Sequence, residues 1–194
     1  MDLPAGVPPD LRAAWSPVRP PYGPAEEFAA GRRAASAALA AAGAADRVVP
    51  RDPDGRPRFP RGFAGSISHT ARLAVAVVAP GAAAVGVDIE DAVIGPRVAR
   101  FVLRASERHA LLAPRAEFTS RELFAAKEAA FKALHGPENQ NDLVFWHVGL
   151  SRSGDALEAS FRGARVPVWV RSGPELSIAV AFLHHPNVQT TDEF

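Results

Sequence analysis

Cysteine is absent from the 194 residues, which excludes a disulfide framework and any thiolate metal site. An excess of one charge is missing too: 22 Lys and Arg stand against 21 Asp and Glu, a formal net charge of +1. No global basic field points to a nucleic-acid partner. No apolar run approaches the roughly 18 residues that a membrane span needs. The opening MDLPAGVPPD has no charged segment followed by an apolar one, so no signal peptide is legible. These absences lead us to expect a soluble cytoplasmic protein. Also missing are the P-loop, GxGxxG, GxSxG and HExxH patterns, which removes several nucleotide, hydrolase and zinc chemistries. Lysine is the scarcest basic residue, with Lys127 and Lys132 the only two among those 22 side chains. Two lysines five positions apart in an Arg-rich chain suggest a site that wants a compact ammonium rather than a planar fork.

What is present describes a globular α+β chain. Apolar residues make up 47% of it, enough for a sizeable core. The Pro-rich stretch 1–24 reads as extended. The segment EEFAAGRRAASAALAAAG reads as an Ala-rich helix over 25–42 that Gly43 ends. Its large apolar residues are sparse, so alanine must supply its packing. A turn-rich connector follows, and then GSISHT, LAVAVVA and AAVGVDIE, three strand-like runs expected to form an antiparallel meander. Residues 97–113 suit one or two short helices, with Ser106 as an N-cap.

A helix over 120–135 has the clearest signals: Thr119 and Glu122 form a capping box, Gly136 and Pro137 stop it, and Leu123, Phe124, Ala130, Phe131 and Leu134 make an apolar stripe. Four strand candidates come next, LVFWHVGL, LEASFRG, VPVWVRS and LSIAVAFL, and then a polar tail. Runs of strands separated by helices favour α+β, and the repeated order of helix then strands permits two similar lobes. We divide the chain into an N-terminal lobe over 1–90, a C-terminal lobe over 91–185 and a tail over 186–194.

Chemistry concentrates at two places. In AVGVDIEDA, Val85, Val87 and Ile89 form an apolar face, while Gly86, Asp88 and Glu90 share the other. Side-by-side carboxylates repel and raise each other's pKa, and a divalent cation relieves that repulsion. Their hard oxygens suit Mg²⁺, which takes one or two carboxylates and completes its shell with water and phosphate. In the helix, Glu128 is the natural third acid, and Lys132 lies one turn beyond it. The bland alternative is a solvated strand end and a surface Glu–Lys pair. Lys127 falls inside the apolar stripe, where a buried ammonium needs a partner. Ser68 and His69, in SISHT, are placed to donate to an anion.

Together these segments have a family resemblance. GVDIE at 86–90, LFAAKEAAFKA at 123–133 and GSISHT at 65–70 resemble the Sfp/EntD-type 4′-phosphopantetheinyl transferases. AAGRRAA resembles the family's helix with a Gly-Arg pair, and GRPRFPRGFAGSISH its Gly-x-Pro connector. The likeness runs in order over about 25–135.

It implies two α/β lobes related by a pseudo-twofold, with coenzyme A bound between them. The activity implied is transfer of the phosphopantetheine arm from coenzyme A to a serine of an apo acyl or peptidyl carrier protein. Adenosine 3′,5′-bisphosphate is then released. By position, Asp88, Glu90 and Glu128 would hold Mg²⁺, or Mn²⁺ in its place, and form the catalytic set. Lys127 and Lys132 would meet phosphates, and Ser68, His69, Arg56 and Arg32 would serve the nucleotide end. The candidate base is Glu128 or a metal-bound water held by an acid. An exposed apolar patch near the second lobe would be the carrier dock, and one chain of two lobes suffices as a monomer. Polyketide, nonribosomal peptide or siderophore synthesis would be the setting.

Two features depart from the family pattern. Ala125-Ala126 stand where a small polar residue is common, and Pro24, Glu26 and Glu27 stand where some relatives carry a basic group. Two further readings stay open, a Mg²⁺-dependent hydrolase of coenzyme A-like nucleotides and a carrier-binding module without turnover.

Overall fold

A computed structural model of the chain describes residues 2–112, 117–135 and 145–185. Strand β1 (Arg12–Pro17), helix α1 (Pro24–Ala41), and strands β2 (Phe63–His69) and β3 (Leu73–Pro80) build the first half. Strand β4 (Ala84–Glu90), helices α2 (Pro96–Val102), α3 (Ala105–Leu111) and α4 (Ser120–Leu134), and strands β5 (Gly149–Ser153), β6 (Ala156–Phe161), β7 (Ala164–Ser172) and β8 (Ser177–Leu183) build the second. The strands form two antiparallel sheets, ordered β1-β3-β2 and β4-β8-β7-β6-β5. The architecture is α+β, as the sequence led us to expect.

The two sheets share one topology. In the first, a strand, a helix and two strands follow in sequence, and the last strand takes the centre (β1-β3-β2). The second repeats this as β4, α4, β7 and β8, with β8 between β4 and β7. Helices α2 and α3 and strands β5 and β6 are additions to that unit. Each helix covers the outer face of its own sheet. Alternation along the strands sends Ala76 and Val78 of β3 toward α1, and Ala179 and Ala181 of β8 toward α4. The opposite faces, Val75 and Val77 with Val85, Val87, Ile89, Ile178 and Val180, form a common core between the sheets.

The expected meander fails at its third strand. β2 and β3 do pair antiparallel. β4, however, crosses to the second sheet and pairs with β8, with Asp88 opposite Ala179. The pairing places β4, within the span expected for the N-terminal lobe, in the second sheet. The first sheet instead takes its third strand from the extended segment, since Arg12–Pro17 pairs with β3. Edge strands β2 and β4 lie side by side in the same direction without a backbone ladder. Two serine hydroxyls of β2 take its place: Ser66 Oγ accepts from Val87 N at 3.1 Å and Ser68 Oγ from Ile89 N at 3.2 Å. The hydroxyls satisfy edge amides that would otherwise be unpaired.

Small residues let both helices approach closely. On α1, Ala30, Ala34, Ala35 and Ala38 are fully buried, and a Cβ on Gly31 would stand 2.9 Å from the Ile67 side chain. The contact is tighter on α4. Its buried centre is Ala125, Ala126, Ala129, Ala130 and Ala133, while Phe124 and Phe131 lie at the margin against Phe145. Of the expected apolar stripe, Leu123, Ala130 and Leu134 are buried in the interface, and only its two aromatic members lie at the edge. Beneath it, a Cβ on Gly86 would stand 1.9 Å from the carbonyl oxygen of Ala129.

Thr119 caps α4 as expected, accepting from Glu122 N at 3.2 Å while Glu122 accepts from Thr119 N at 2.7 Å. The cap of α3 is Arg104 rather than Ser106. There Glu107 supplies the acceptor, taking the Arg104 amide at 2.7 Å. In LVFWHVGL, Phe145–His147 form a 3-10 turn, and the strand starts only at Gly149. The expected stop at Gly136 and Pro137, and the tail at 186–194, lie outside the described residues.

Replacing Gly86 with Ala should cost about 1–3 kcal/mol, because backbone rather than a flexible side chain must move. Urea denaturation of Gly86→Ala beside wild type measures this.

Candidate active site

Two elements from one lobe and one from the other meet at Asp88. Strand β4 turns Gly86, Asp88 and Glu90 toward α4, and the Gly86 contact brings the helix backbone down onto the strand. Glu128 and Lys132, one turn apart, then flank the carboxylates. Lys132 Nζ reaches Asp88 Oδ1 at 2.7 Å and donates to the Val87 carbonyl at 3.0 Å. From the first lobe, Ser68 Oγ donates to the same Asp88 oxygen at 2.9 Å. Asp88 is buried, and its carboxylate is held by a cation and a hydroxyl drawn from opposite sides of the lobe boundary.

Glu128 is half-buried, and its carboxyl is pushed above the ordinary range. Burial is the largest cause, followed by the negative charge of Asp88. Lys132 opposes the shift, and Glu90 adds to it. The like-charge contributions of Asp88 and Glu90 mean that the three acids share one field. Glu90 caps its own turn, with Oε1 accepting from Ala92 N at 2.7 Å. Among the described residues no three such side chains are drawn closely enough to cage a metal ion as they stand. The donor set still suits a hard divalent cation in kind. It offers three carboxylates, one destabilised by the other two, and Mg²⁺ needs only one or two of them in its shell.

Lys127 is not part of this group. A residue before Glu128, it points about 100° round the helix and is wholly buried. Its ammonium lies 2.8 Å from Glu107 Oε2, an ion pair without an aligned hydrogen bond. Burial holds the Lys127 pKa down, and Glu107 pulls it back up. Glu107, 3% exposed, also accepts from the amides of Arg104 and Leu150, so it ties α3, α4 and β5 together. The expected phosphate contact of Lys127 therefore gives way to a structural ion pair. The apolar stripe was the sequence signal, since a lysine inside it needs an internal partner.

The remaining residues line two adjoining cavities. One, of about 410 Å³, lies between the lobes, with Arg56 and Ser66 on one side and Lys132 and His135 on the other. The second, of about 280 Å³, is bordered by Glu27, Phe28, Arg32, Arg51 and His69. Pro57 and Ile67 wall both. The Arg pair of α1 divides. Arg33 turns inward to Glu26 at 2.6 Å and Ser16 at 3.1 Å, whereas Arg32 stacks on Phe28 with its guanidinium carbon 4.3 Å from the ring centroid. Arg51 stacks on the same ring at 4.6 Å. Burial and then the Arg51 charge hold the Arg32 pKa down, and its buried Nε has no partner. Two guanidinium groups gathered on one ring, neither in an ion pair among the described residues, suit an anion. His69 is exposed, with Nδ1 3.7 Å from Glu27. Arg51, Phe28 and His135 were not singled out in the sequence. Arg51 was one arginine among twenty, and its place opposite Arg32 is fixed only by the fold.

With this geometry in view, two family models account for most of the chain. One, the 4′-phosphopantetheinyl transferase N-terminal domain, matches residues 25–79. The other, the 4′-phosphopantetheinyl transferase superfamily, matches residues 84–181. The break between them falls just before β4, where the strand pairing divides the sheets. No curated protein matches the chain. The chain belongs to the 4′-phosphopantetheinyl transferase superfamily, whose members transfer phosphopantetheine from coenzyme A to carrier proteins. No helix among the described residues is long and apolar enough to cross a membrane.

The two lysines should separate cleanly by experiment. Lys127→Met should lower the melting temperature with little change in coenzyme A affinity, because it empties one side of a buried pair. Lys132→Met should weaken coenzyme A binding as well as lower the melting temperature, since it removes a cation from the cavity and unpairs the buried Asp88. Thermal melts and calorimetric titration with coenzyme A measure the two effects.

Proposed function

We propose that this chain is an Sfp/EntD-type transferase that moves the phosphopantetheine arm of coenzyme A onto a serine of an apo acyl or peptidyl carrier protein. The observation that carries this reading is the convergence of Asp88, Glu128 and Lys132 beside a cavity that crosses the lobe boundary. Asp88, Glu90 and Glu128 are the residues that would hold Mg²⁺, or Mn²⁺. Bound there, the ion would neutralise charge on the pyrophosphate. Lys132 and Arg56 add positive charge on the same cavity, and Arg32, Arg51 and His69 receive the nucleotide end with its further phosphate.

The carrier serine oxygen attacks the β-phosphorus. Its new P–O bond forms as the bond to the bridging oxygen breaks, and adenosine 3′,5′-bisphosphate leaves. Glu128 suits the role of base for the serine proton. Without the ion, burial and its acidic neighbours raise its proton affinity; a metal-bound water held by an acid is the other candidate for the base. A cytoplasmic, monomeric enzyme serving polyketide, nonribosomal peptide or siderophore synthesis fits this reading.

An exposed aromatic pair on the second lobe suits a dock for the carrier. Phe101 of α2 is 71% exposed and meets the exposed Trp146 at 5.7 Å between ring centroids. Arg97 and Arg100 lie on α2 and Arg104 caps α3, and no guanidinium of the three forms an ion pair with an acid among the described residues. An apolar pair on a segment that carries three arginines suits an acidic protein surface. We assign it to the carrier. Phe101→Ser should raise the KM for the carrier about tenfold and leave that for coenzyme A unchanged.

The test of the activity is incubation with coenzyme A, Mg²⁺ and a panel of apo carriers, followed by intact mass. At least one carrier should gain the arm; coenzyme A hydrolysis without a carrier would favour the nucleotide hydrolase, and binding without turnover the non-catalytic module. Glu128→Gln should abolish transfer yet melt higher than wild type at neutral pH. The sign follows from the raised pKa: the native state binds the Glu128 proton more tightly than the unfolded chain does, so the ionised group costs stability once pH exceeds its ordinary range. The advantage of the variant should fade as pH falls back through that range.

A further inference from the structure

Arg56 and His135 are 79 residues apart in sequence and meet across the lobe boundary. Arg56 projects from the connector between α1 and β2. The backbone there is fixed by Asp52, whose carboxylate accepts from Arg56 N at 2.7 Å and whose amide donates to Arg56 O at 2.9 Å. His135 is the residue that ends α4. Arg56 Nη2 contacts His135 Nε2, and Nη1 donates to the His135 carbonyl at 3.4 Å. A guanidinium has donors only. Nε2 must therefore be the acceptor, and the ring proton resides on Nδ1, which is buried without a partner. Phe131, 5.1 Å away between centroids, packs against the ring.

The choice of a neutral partner matters here. A carboxylate at this position would also orient Arg56, but it would cancel the charge that an anionic ligand needs. A neutral imidazole orients the guanidinium and leaves its full charge facing the cavity. We propose that His135 is a positioning residue, whose Nε2 and carbonyl hold Arg56 toward the phosphates of coenzyme A in the cavity between the lobes. This rests on the transferase reading of the site.

The arrangement carries a pH dependence. Burial, then the charge of Arg56, holds the His135 pKa below its usual value, and Asp54 on the connector acts in the opposite direction. Lys132 of α4 borders the same cavity and adds positive charge there. At neutral pH the imidazole is uncharged and can accept. Protonation turns Nε2 into a donor and sets two cations face to face, so Arg56 must swing away. Coenzyme A affinity should therefore fall on acidification, over a range that His135 sets.

Calorimetric titration of the full chain with coenzyme A tests this, using wild type, His135→Phe, His135→Gln, Arg56→Ala and the Arg56→Ala/His135→Phe double variant. His135→Phe keeps the packing on Phe131 and should weaken binding about tenfold, the loss of one charge-assisted hydrogen bond. In the Arg56→Ala background the same change should add nothing. His135→Gln offers an acceptor that does not titrate. Its affinity should stay near that of wild type at about pH 8 and exceed it on acidification through the lowered range of His135. The ligand's own phosphate titration is common to all variants and cancels in that comparison. Additive effects of the two substitutions, or a His135→Gln profile parallel to wild type, would overturn the proposal. Carrier modification by mass, run on the same samples, keeps the failures apart. Arm transfer without Arg56–His135 coupling removes only this role of His135, whereas failure of wild type to bind coenzyme A or modify any carrier removes the transferase reading as well.

Discussion

The close approach of α4 to β4 governs the rest of this structure. A helix can rest its backbone on a strand only where the strand has no side chain, and Gly86 provides that place. The neighbouring positions under the helix, Ala179 and Ala181, and the alanines of the helix face are small for the same reason. Once the backbones touch, the rest is register. Asp88 emerges two residues along the strand, and Lys132 reaches it and the Val87 carbonyl together. A larger residue at position 86 would leave every acid and lysine of the motif in the sequence and separate them in space.

Charge is sorted in the interior with equal economy. Lys127 and Lys132 lie on one helix five positions apart, yet one holds α3 and β5 in place through Glu107 and the other faces the cleft with Asp88. A buried ion pair of the first kind adds little net stability over an apolar pair, but breaking it is costly. Its value lies in fixing the rotation of α4, which in turn aims Glu128. The seam between the sheets follows a similar logic. Ser66 and Ser68 satisfy the free edge of β4 with side chains, and Ser68 uses its own proton to hold Asp88. One hydroxyl thus serves both the architecture and the site.

Much of this was legible in the sequence because it is local. The capping box at Thr119, the Ala-rich α1 and the alternating face of Asp88 and Glu90 depend on spacing alone. Pairing between distant strands does not. Nothing in GVDIE says that it crosses to β8 instead of continuing a meander, and nothing in RAAWSP marks it as the third strand of the first sheet. Alanines were undervalued in the same way. The helical stripe weights bulky residues, whereas a backbone contact selects small ones, so Phe124 and Phe131, counted in the stripe, lie at the edge of the interface. Arg51 and His135 could not be separated from other polar residues, since their significance comes from what faces them.

The repeated strand–helix–strand–strand unit has one more consequence. A cleft between two similar halves would, by backbone shape alone, accept an elongated ligand either way round. The side chains break that equivalence. The unit that ends in β3 contributes arginines and a histidine, and the unit that begins with β4 contributes the carboxylates. The cleft therefore has a head and a tail, and on the proposed function the elongated coenzyme A would lie in it in one direction only.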